Sequence, residues 1–323
     1  MGRKYLVTGG AGFIGSNFIR YLINNEPDAD ITNLDALTYA GVVATVDELN
    51  EHPAHHFVKG DIRDVDLVDR VVPGHDVVVH FAAESHVDRS ISESAPFLET
   101  NVVGTGVLLD AAFRDGAPRF IHVSTDEVYG SIEEGFAPEQ AALNPSSPYS
   151  SSKAGADLLA LSYHTTFGHD IIVTRSTNNY GPYQFPEKVI PLFVTNLIDG
   201  MKLPLYADGR NERDWLHVND HCSALHILVE DGEAGEVYNI GANEQLPNME
   251  LTQAILNAFG MDESWIESVP DRLGHDFRYA VDSSKIRSIG WRPAHQFEDC
   301  LAKTIDWYKM REDWWRPLKG TDR

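Results

Sequence analysis

The sequence has 323 residues, enough for one large or two closely joined domains, and 42% of them are hydrophobic, as an ordinary globular core requires. Its 49 acidic and 26 basic residues give a formal net charge of −23, which repels phosphate backbones and anionic headgroups, so we expect no nucleic-acid and no membrane partner. The two cysteines form no CxxC pair and no apolar run is long enough to span a bilayer, which favours a reduced, cytoplasmic protein.

Short β-branched segments alternate with helix-length segments through the first half of the chain. This alternation predicts βαβ units and therefore an α/β fold, a Rossmann-type doubly wound parallel sheet. Strands are predicted at 5–8, 31–34, 57–58, 77–81, 120–123 and 171–173, and amphipathic helices over 95–114 and 149–167. Prolines and glycines become frequent beyond residue 175, and regular patterns return at 215–218, 220–229 and 237–239.

A glycine-rich turn, Thr8-Gly9-Gly10-Ala11-Gly12-Phe13-Ile14-Gly15, follows the first predicted strand and precedes a helix expected to begin near its end. Its glycines fit both GxGxxG and GxxGxxG. Glycines let backbone N–H groups approach a pyrophosphate, which the N-terminus of a helix favours electrostatically. Asp35 ends the second predicted strand about twenty residues on, and its carboxylate can accept from both ribose hydroxyls while repelling a 2′-phosphate. The segment therefore predicts NAD, rather than NADP, as cofactor.

Two adjacent carboxyl groups, Asp126 and Glu127, come directly after the fifth predicted strand. Ligands of parallel sheets bind at such strand ends. Two carboxyl groups at one site can act as acid and base if their surroundings separate their pKa values. The pair is therefore a candidate for acid–base catalysis.

Tyr149 and Lys153 are four residues apart, so they share one face of the helix that Pro145-Ser146-Ser147-Pro148 would begin. Tyrosine has a pKa of about 10 in water. A neighbouring ammonium and a cationic nicotinamide would both favour the phenolate, which makes Tyr149 a usable base. A YxxxK pair alone is a weak signal, but this one follows a dinucleotide turn. Together these features resemble the extended short-chain dehydrogenase/reductase superfamily.

That superfamily contains epimerases, decarboxylases, reductases and dehydratases, and the triplet Thr125-Asp126-Glu127 helps to separate them. It resembles the triplet of the dTDP-glucose 4,6-dehydratases, whereas GDP-mannose dehydratases and UDP-glucuronate decarboxylases tend to have Thr-Ser-Glu. The resemblance extends through segments 82–90, 178–188, 211–215 and 274–279. Another nucleotide-sugar 4,6-dehydratase, a UDP-sugar 4-epimerase or decarboxylase, and a non-catalytic NAD-binding scaffold stay open as alternatives.

The resemblance implies an NAD-dependent lyase that converts dTDP-glucose to dTDP-4-keto-6-deoxyglucose. The sugar would be oxidised at C4, lose water across C5 and C6, and receive the hydride back at C6, with the cofactor tightly bound throughout. Tyr149 would take the proton of the C4 hydroxyl, Glu127 would act as base at C5, and Asp126 would protonate the leaving C6 hydroxyl. Thr125 would hydrogen-bond the sugar near C4, and Lys153 would hold the nicotinamide ribose.

The resemblance also implies which residues surround the two ligands. The expected cofactor-binding residues are Gly9, Gly12, Phe13, Ile14, Gly15, Asp35, Thr38, Asp61, Ile62, Ala82, Ala83, Ser85, Thr100, Tyr149, Lys153 and Asn179. The expected substrate-binding residues are Ser85, Thr125, Asn178, Lys188, Val189, Pro204, Tyr206, Arg213, Asn248, Arg272 and His275. Lys188, Arg213 and Arg272 are the candidates to bind the diphosphate of the substrate, despite the protein's overall negative charge.

On this interpretation the chain has two domains. Residues 1–176 plus about 215–241 form the NAD-binding Rossmann domain, and about 177–214 plus 242–323 form the nucleotide-sugar-binding domain. The superfamily implies a homodimer through a four-helix bundle built from helices 95–114 and 149–167. No metal is expected, and we interpret the cluster His52, His55 and His56 as an exposed loop.

Overall fold

The computed structural model describes residues 2–114, 116 and 118–319, so residues 1, 115, 117 and 320–323, which the predicted domains include, lie outside the described residues. The strands are β1 (Lys4–Thr8), β2 (Asp30–Asp35), β3 (His55–Lys59), β4 (Val77–His80), β5 (Arg119–Thr125), β6 (Ile171–Ser176), β7 (Asn178–Tyr180), β8 (Leu203–Tyr206), β9 (Glu212–His217), β10 (Val237–Ile240), β11 (Gln245–Pro247) and β12 (Ile266–Val269). The α-helices are α1 (Phe13–Asn25), α2 (Val43–Leu49), α3 (Val65–Val71), α4 (Val87–Ser92), α5 (Ala95–Phe97), α6 (Thr105–Arg114), α7 (Pro148–Phe167), α8 (Val189–Ile198), α9 (Val218–Asp231), α10 (Asn248–Ala258), α11 (Ser284–Ser288), α12 (Phe297–Met310) and α13 (Glu312–Trp315). A π-helix spans Leu98–Gly104, and 3₁₀ turns span Asp126–Tyr129, Glu263–Trp265 and Arg316–Leu318.

Seven parallel strands form the main sheet, in the order β10-β6-β5-β4-β1-β2-β3. All residues of β4 and β6 are buried, as expected for central strands covered on both faces. Helices α1 and α9 pack on one face of the sheet, and α3, α6 and α7 pack on the other. The predicted Rossmann-type doubly wound fold is confirmed.

A second core lies among α8, α10, α12 and α13. It is accompanied by the strand pair β8–β12 and by the three-stranded sheet β11-β9-β7. The pattern predicted at 215–218 is thus the end of β9, which pairs outside the main sheet, while α9 and β10 pack with the main sheet. Side chains of β9 alternate between the cores, because Trp215 packs in the second core and Leu216 in the first. Among the described residues, no helix has the length and apolar character needed to cross a bilayer.

The helix predicted as continuous over 95–114 is instead interrupted by the π-helix. A π turn carries an extra residue and often occurs at functional sites. Here it contains the buried Asn101, whose side chain donates to Ser152 Oγ at 2.8 Å and accepts from the Glu84 N–H at 2.8 Å. The π-helix therefore ties α7 to the segment that follows β4, which an amphipathic pattern does not reveal.

The prediction that His52, His55 and His56 form an exposed loop is wrong for His55 and His56, which both lie in β3, although His56 is exposed. His55 begins β3 and is buried, because pairing with β2 carries it inside the sheet. Its ring lies 3.1 Å from Asn33 Nδ2 and 3.0 Å from Asn50 Oδ1. Burial lowers the pKa of His55 to about 4, so the ring is neutral near pH 7.

Candidate active site

A cleft of about 340 Å³ opens at the carboxyl ends of the main-sheet strands, where parallel sheets bind ligands. Every residue predicted to bind the cofactor lines this cleft, and so do all five predicted catalytic residues. The structure therefore brings together, in one cavity, residues that come from segments between positions 9 and 179 of the chain.

The glycine turn fits a group that must approach the backbone closely. Gly9 has φ = +74°, and a Cβ at this position would lie 2.6 Å from the amide nitrogen of Ala82. A Cβ on Gly15 would lie 2.4 Å from the carbonyl oxygen of Gly9. Among the described residues, no side chain caps the N-terminus of α1 at Gly12, so its first N–H groups are available to a phosphate.

Asp35 is held rigidly at the end of β2. One carboxylate oxygen accepts from the Ala11 N–H at 3.0 Å and the other from the Leu37 N–H at 2.7 Å. Burial raises the pKa of Asp35, and these two hydrogen bonds lower it. Each oxygen keeps a further lone pair, so the carboxylate can still accept from ribose hydroxyls. The glycine turn and Asp35 together fit a dinucleotide.

The carboxylate pair sits in the 3₁₀ turn directly after β5. Thr125 caps this turn, because its Oγ1 accepts from the Glu127 N–H at 3.3 Å. Burial and then the charge of Glu127 raise the pKa of the buried Asp126 well above its ordinary value. Burial also raises the pKa of Glu127, but Arg272 and Arg213 lower it. The negative charge of Glu127 thus acts on Asp126, whereas cations act on Glu127, so the two carboxyl groups have different surroundings, as an acid and a base require.

Helix α7 presents the tyrosine–lysine pair to the cleft from its first turns. Ser147 caps the helix, its side chain accepting from the Ser150 N–H while Ser150 Oγ accepts from the Ser147 N–H. Pro148 occupies the first helical position, which suits its fixed φ. The predicted helix start is confirmed, and it places Tyr149 and Lys153 on the same face, both lining the cleft.

The charges around Tyr149 do not by themselves favour its phenolate. Burial, then the charges of Glu127 and Asp126, raise the pKa of Tyr149 well above its ordinary value. Lys153 is buried and its Nζ donates to the Val123 carbonyl at 2.8 Å. Burial also lowers the pKa of Lys153 to about 8. The effect expected from the neighbouring ammonium is thus outweighed by burial and by the two carboxylates.

The predicted substrate-binding residues fall into two groups. Ser85, Thr125, Asn178 and Lys188 line the cleft. The other seven do not belong to its lining: Val189, Pro204, Tyr206, Arg213, Asn248, Arg272 and His275. Two of these, Arg272 and Arg213, nevertheless act on the charge of Glu127, so a positive region adjoins the cleft.

The positive region is organised by the segment that follows residue 270. The buried guanidinium of Arg213 donates to the Asp276 carbonyl at 2.9 Å and lies over the Tyr279 ring at 4.1 Å. The rings of His275 and Tyr206 meet edge-on with centroids 5.8 Å apart. These contacts hold residues of the predicted substrate group beside β8 and β9, next to the carboxylate pair.

Three buried residues that hold the catalytic helix were not predicted. Asp157, one turn beyond Lys153 on α7, accepts from Arg175 Nε at 2.9 Å. Its other carboxylate oxygen lies 3.4 Å from His122 Nε2, an ion-pair distance too long for a strong hydrogen bond. Arg175 lies on β6 and His122 on β5, so the group ties α7 to both strands. These residues share no sequence spacing, and only the acidic residue four positions after Lys153 could have drawn attention.

Known proteins resemble the chain over almost its whole length. Residues 6–304 match the family model described as GDP-mannose 4,6 dehydratase. The dTDP-glucose 4,6-dehydratase of Streptomyces antibioticus is 55% identical over 320 residues, 97% of this chain and 95% of that protein. The enzyme of the same name from Streptomyces niveus is 52% identical over 324 residues, 99% and 96% of the two chains. The crystal structure of DesIV, the dTDP-glucose 4,6-dehydratase of Streptomyces venezuelae, with NAD and TYD bound, matches with a TM-score of 0.95 and 52% identity, covering 98% of this chain and 100% of that chain.

Proposed function

Because the chain belongs to the dTDP-glucose 4,6-dehydratase family, we propose that it converts dTDP-glucose to dTDP-4-keto-6-deoxyglucose and water, with NAD as cofactor. One observation supports this function above others: Asp126, Glu127 and Tyr149 line the same cleft as the glycine turn and Asp35. The matched family model is described by GDP-mannose, but the two Streptomyces relatives at 55% and 52% identity are named for dTDP-glucose, which favours a thymidine nucleotide.

The chain's residues fit NAD at the glycine turn. The first N–H groups of α1 would hold the pyrophosphate, Asp35 a ribose, and Lys153 the nicotinamide ribose. A bound NAD would supply reversible hydride transfer, between C4 and C6 of the sugar.

The acid–base steps are assigned to three side chains. Tyr149, as the phenolate that the cationic nicotinamide of a bound NAD would favour, accepts the proton of the C4 hydroxyl as that carbon is oxidised. The resulting ketone acidifies the C5–H bond, which Glu127 can then deprotonate. Asp126 donates its proton to the C6 hydroxyl, and this leaves as water.

The protons gained and lost by Tyr149, Glu127 and Asp126 balance over one turnover, once exchange with solvent is included. Glu127 exchanges the proton it took from C5 with solvent and then protonates C5 when C6 is reduced. Tyr149 has then gained one proton and Asp126 has lost one, so exchange with solvent resets both. Thr125, whose hydroxyl contacts Asp126 Oδ1 at 3.3 Å, is positioned to hydrogen-bond the sugar near C4.

The function is tested by incubating the purified protein with dTDP-glucose in deuterated water without added NADH, followed by mass spectrometry and NMR of the product. We expect loss of one water, one deuterium at C5 and no net NADH. An unchanged mass with inversion at C4 would instead indicate an epimerase. Glu127→Gln should block deuterium entry at C5, and Glu134→Gln, on an exposed loop, is the matched control. Undiminished deuterium entry in Glu127→Gln would contradict the role of Glu127.

We further propose that two copies associate through the π-helix and α7, giving a four-helix bundle. Large apolar side chains on these elements are exposed, among them Leu98, Val103 and Leu158, the last with 59% of its surface accessible. Leu158→Glu should therefore reduce the mass measured by light scattering from two chains to one, since a charge would be buried in the bundle. Met310→Glu on α12, at a side chain that is 72% exposed, should leave the dimer intact. A dimer that survives Leu158→Glu would contradict this interface.

The two cores support the proposed division of labour between domains. Residues 1–176 with about 215–241 would bind NAD, and about 177–214 with the chain from 242 onward would bind the nucleotide sugar. Ile286 and Trp291, from the second set, pack in the core of the main sheet, so the two domains share a packed boundary. A cytoplasmic location is proposed from the free thiols of the two cysteines, both buried.

A further inference from the structure

A cluster of two imidazoles and one thiol lies outside the cleft, and the proposed reaction does not use it. His217 ends β9, His295 precedes α12, and Cys300 lies in the first turns of α12. Their ligand atoms, a ring nitrogen from each histidine and the cysteine Sγ, all lie within 4.8 Å of one another. Tetrahedral zinc, with bonds of about 2.0–2.3 Å, needs ligand atoms about 3.5 Å apart and the ion in the plane of each imidazole, so the side chains must rotate from this arrangement to bind it.

Asp220 accepts a hydrogen bond from the ring of His295, as carboxylates often do behind metal-binding histidines. Its Oδ1 accepts from His295 Nδ1 at 2.7 Å, and the carboxylate also accepts the main-chain N–H groups of Ala294 and His295 at 3.0 and 3.1 Å. Because Nδ1 then carries the proton, Nε2 keeps its lone pair for a cation. A carboxylate behind the imidazole in this way fixes the tautomer and raises the basicity of the ligating nitrogen.

The other two proposed ligands, His217 and Cys300, are held close to His295. The ring of His217 stacks on that of His295, with centroids 4.5 Å apart, so both rings must turn for their nitrogen lone pairs to meet at one ion. The Asn219 N–H approaches His217 Nδ1 at 3.3 Å, a long contact that a metal ion at that nitrogen would replace. Cys300 is buried beside them as a free thiol, and a bound metal would stabilise its thiolate.

Charges of both signs surround the cluster, and among them Lys303 acts most strongly on Cys300. The carboxylates of Asp220 and Asp299 act on Cys300, and Lys303 is the positive group that opposes them. A second cluster, Glu26, His226 and Glu230, is more exposed, and both of its carboxylates already contact Arg3. That second cluster therefore serves as a control rather than as a rival site.

We propose that His217, His295 and Cys300 bind one Zn²⁺ ion, with water in the fourth position, and that this ion has a structural role. None of the three residues belongs to the lining of the cleft. The ion would join the start of α9, which packs in the core of the main sheet, to the start of α12, which packs in the second core. Positions 217, 295 and 300 fit no zinc motif, so the sequence does not indicate the site.

The test uses the tag-free enzyme with its cofactor bound, dialysed against a chelator and titrated with Co²⁺. We expect one equivalent to bind with a thiolate-to-cobalt charge-transfer absorption, which one equivalent of Zn²⁺ abolishes. Cys300→Ser should remove this absorption, and His295→Gln should raise the Kd for Zn²⁺ at least about 10-fold. Cys222→Ala, which removes the other thiol, and His226→Gln, which alters the second cluster, should leave both readouts unchanged.

Three outcomes would overturn the site: no charge-transfer band, a band that persists in Cys300→Ser, or a band lost in Cys222→Ala. If Cys300→Ser does not fold, as judged by circular dichroism, His295→Gln decides, because His295 lies at a partly exposed position. Zn²⁺ should then raise the Tm of the wild type and not that of His295→Gln. None of these readouts depends on turnover, so failure of the zinc site is distinguishable from failure of the dehydratase function.

Discussion

Lys153 places an ammonium group inside the wall of the cleft, where only the Val123 carbonyl accepts from it at 2.8 Å among the bonds found in the described residues. Burial lowers the pKa of this group from 10.5 to about 8. Between these values the unfolded chain binds more protons than the folded chain, so stability rises with pH through that interval. Below pH 8 the buried charge costs about 3 kcal/mol of unfolding free energy.

Lys153→Met should therefore be more stable but less active than the wild type. At pH 7 we expect the unfolding free energy to rise by about 1–3 kcal/mol, less than the full cost because Val123 loses its donor. Turnover should fall about 100-fold or more. Urea unfolding of the cofactor-free proteins checks the first effect, and the gain should shrink as the pH rises above 8. The exposed Lys309→Met is the control, and a destabilised Lys153→Met would contradict the argument.

The base at C5 depends on positive charge in its surroundings. Burial raises the pKa of Glu127 and Arg272 lowers it, so Arg272→Met should raise this pKa further. The acidic limb of kcat/KM should then move to higher pH, because Glu127 must lose its proton to act as base. Arg210→Met, which removes an exposed arginine, should leave the limb in place. A pH profile that only falls in height, without moving, would show that Arg272 serves binding alone.

At the scale of elements, α7 is fixed to the sheet by the buried group of Asp157, Arg175 and His122. Asp157→Asn should reduce the unfolding free energy by about 3–5 kcal/mol, because it leaves the buried arginine without its counter-charge. The matched control is Asp170→Asn, which breaks a partly exposed ion pair with Arg119 and should cost no more than about 1 kcal/mol. Both values come from urea unfolding, and equal losses would contradict a special role for the buried group.

What the sequence predicts well is local. The glycine turn, the start of α7 and the Tyr149–Lys153 spacing follow from dihedral angles and helix geometry, which nearby residues determine. Contacts between distant segments were not predictable in this way. The π-helix turns Asn101 toward Ser152, and Asp157 meets Arg175, only because the fold brings separate elements together. The pairing of β9 outside the main sheet was missed for the same reason.

At the scale of the whole molecule, the net charge of −23 opposes compaction. Salt screens this repulsion over a Debye length that shrinks from about 10 Å at 0.1 M to about 3 Å at 1 M. We therefore expect the midpoint of urea unfolding to increase with KCl up to 1 M. Sucrose at matched osmolality controls for solvent exclusion, and a midpoint independent of KCl would show that the charges are already balanced locally.

The position of β10 also affects how the protein folds while the ribosome synthesises it. Strand β10 completes the main sheet beside β6, but residues 177–236 are synthesised between them. At a translation rate of about 5–20 residues per second, β6 remains without β10 beside it for roughly 3–12 s. During that interval the nascent chain presents the unpaired edge of an apolar strand, a template for aberrant pairing with other chains. Chaperone protection is most needed in those seconds, and fragments that stop before residue 237 should aggregate.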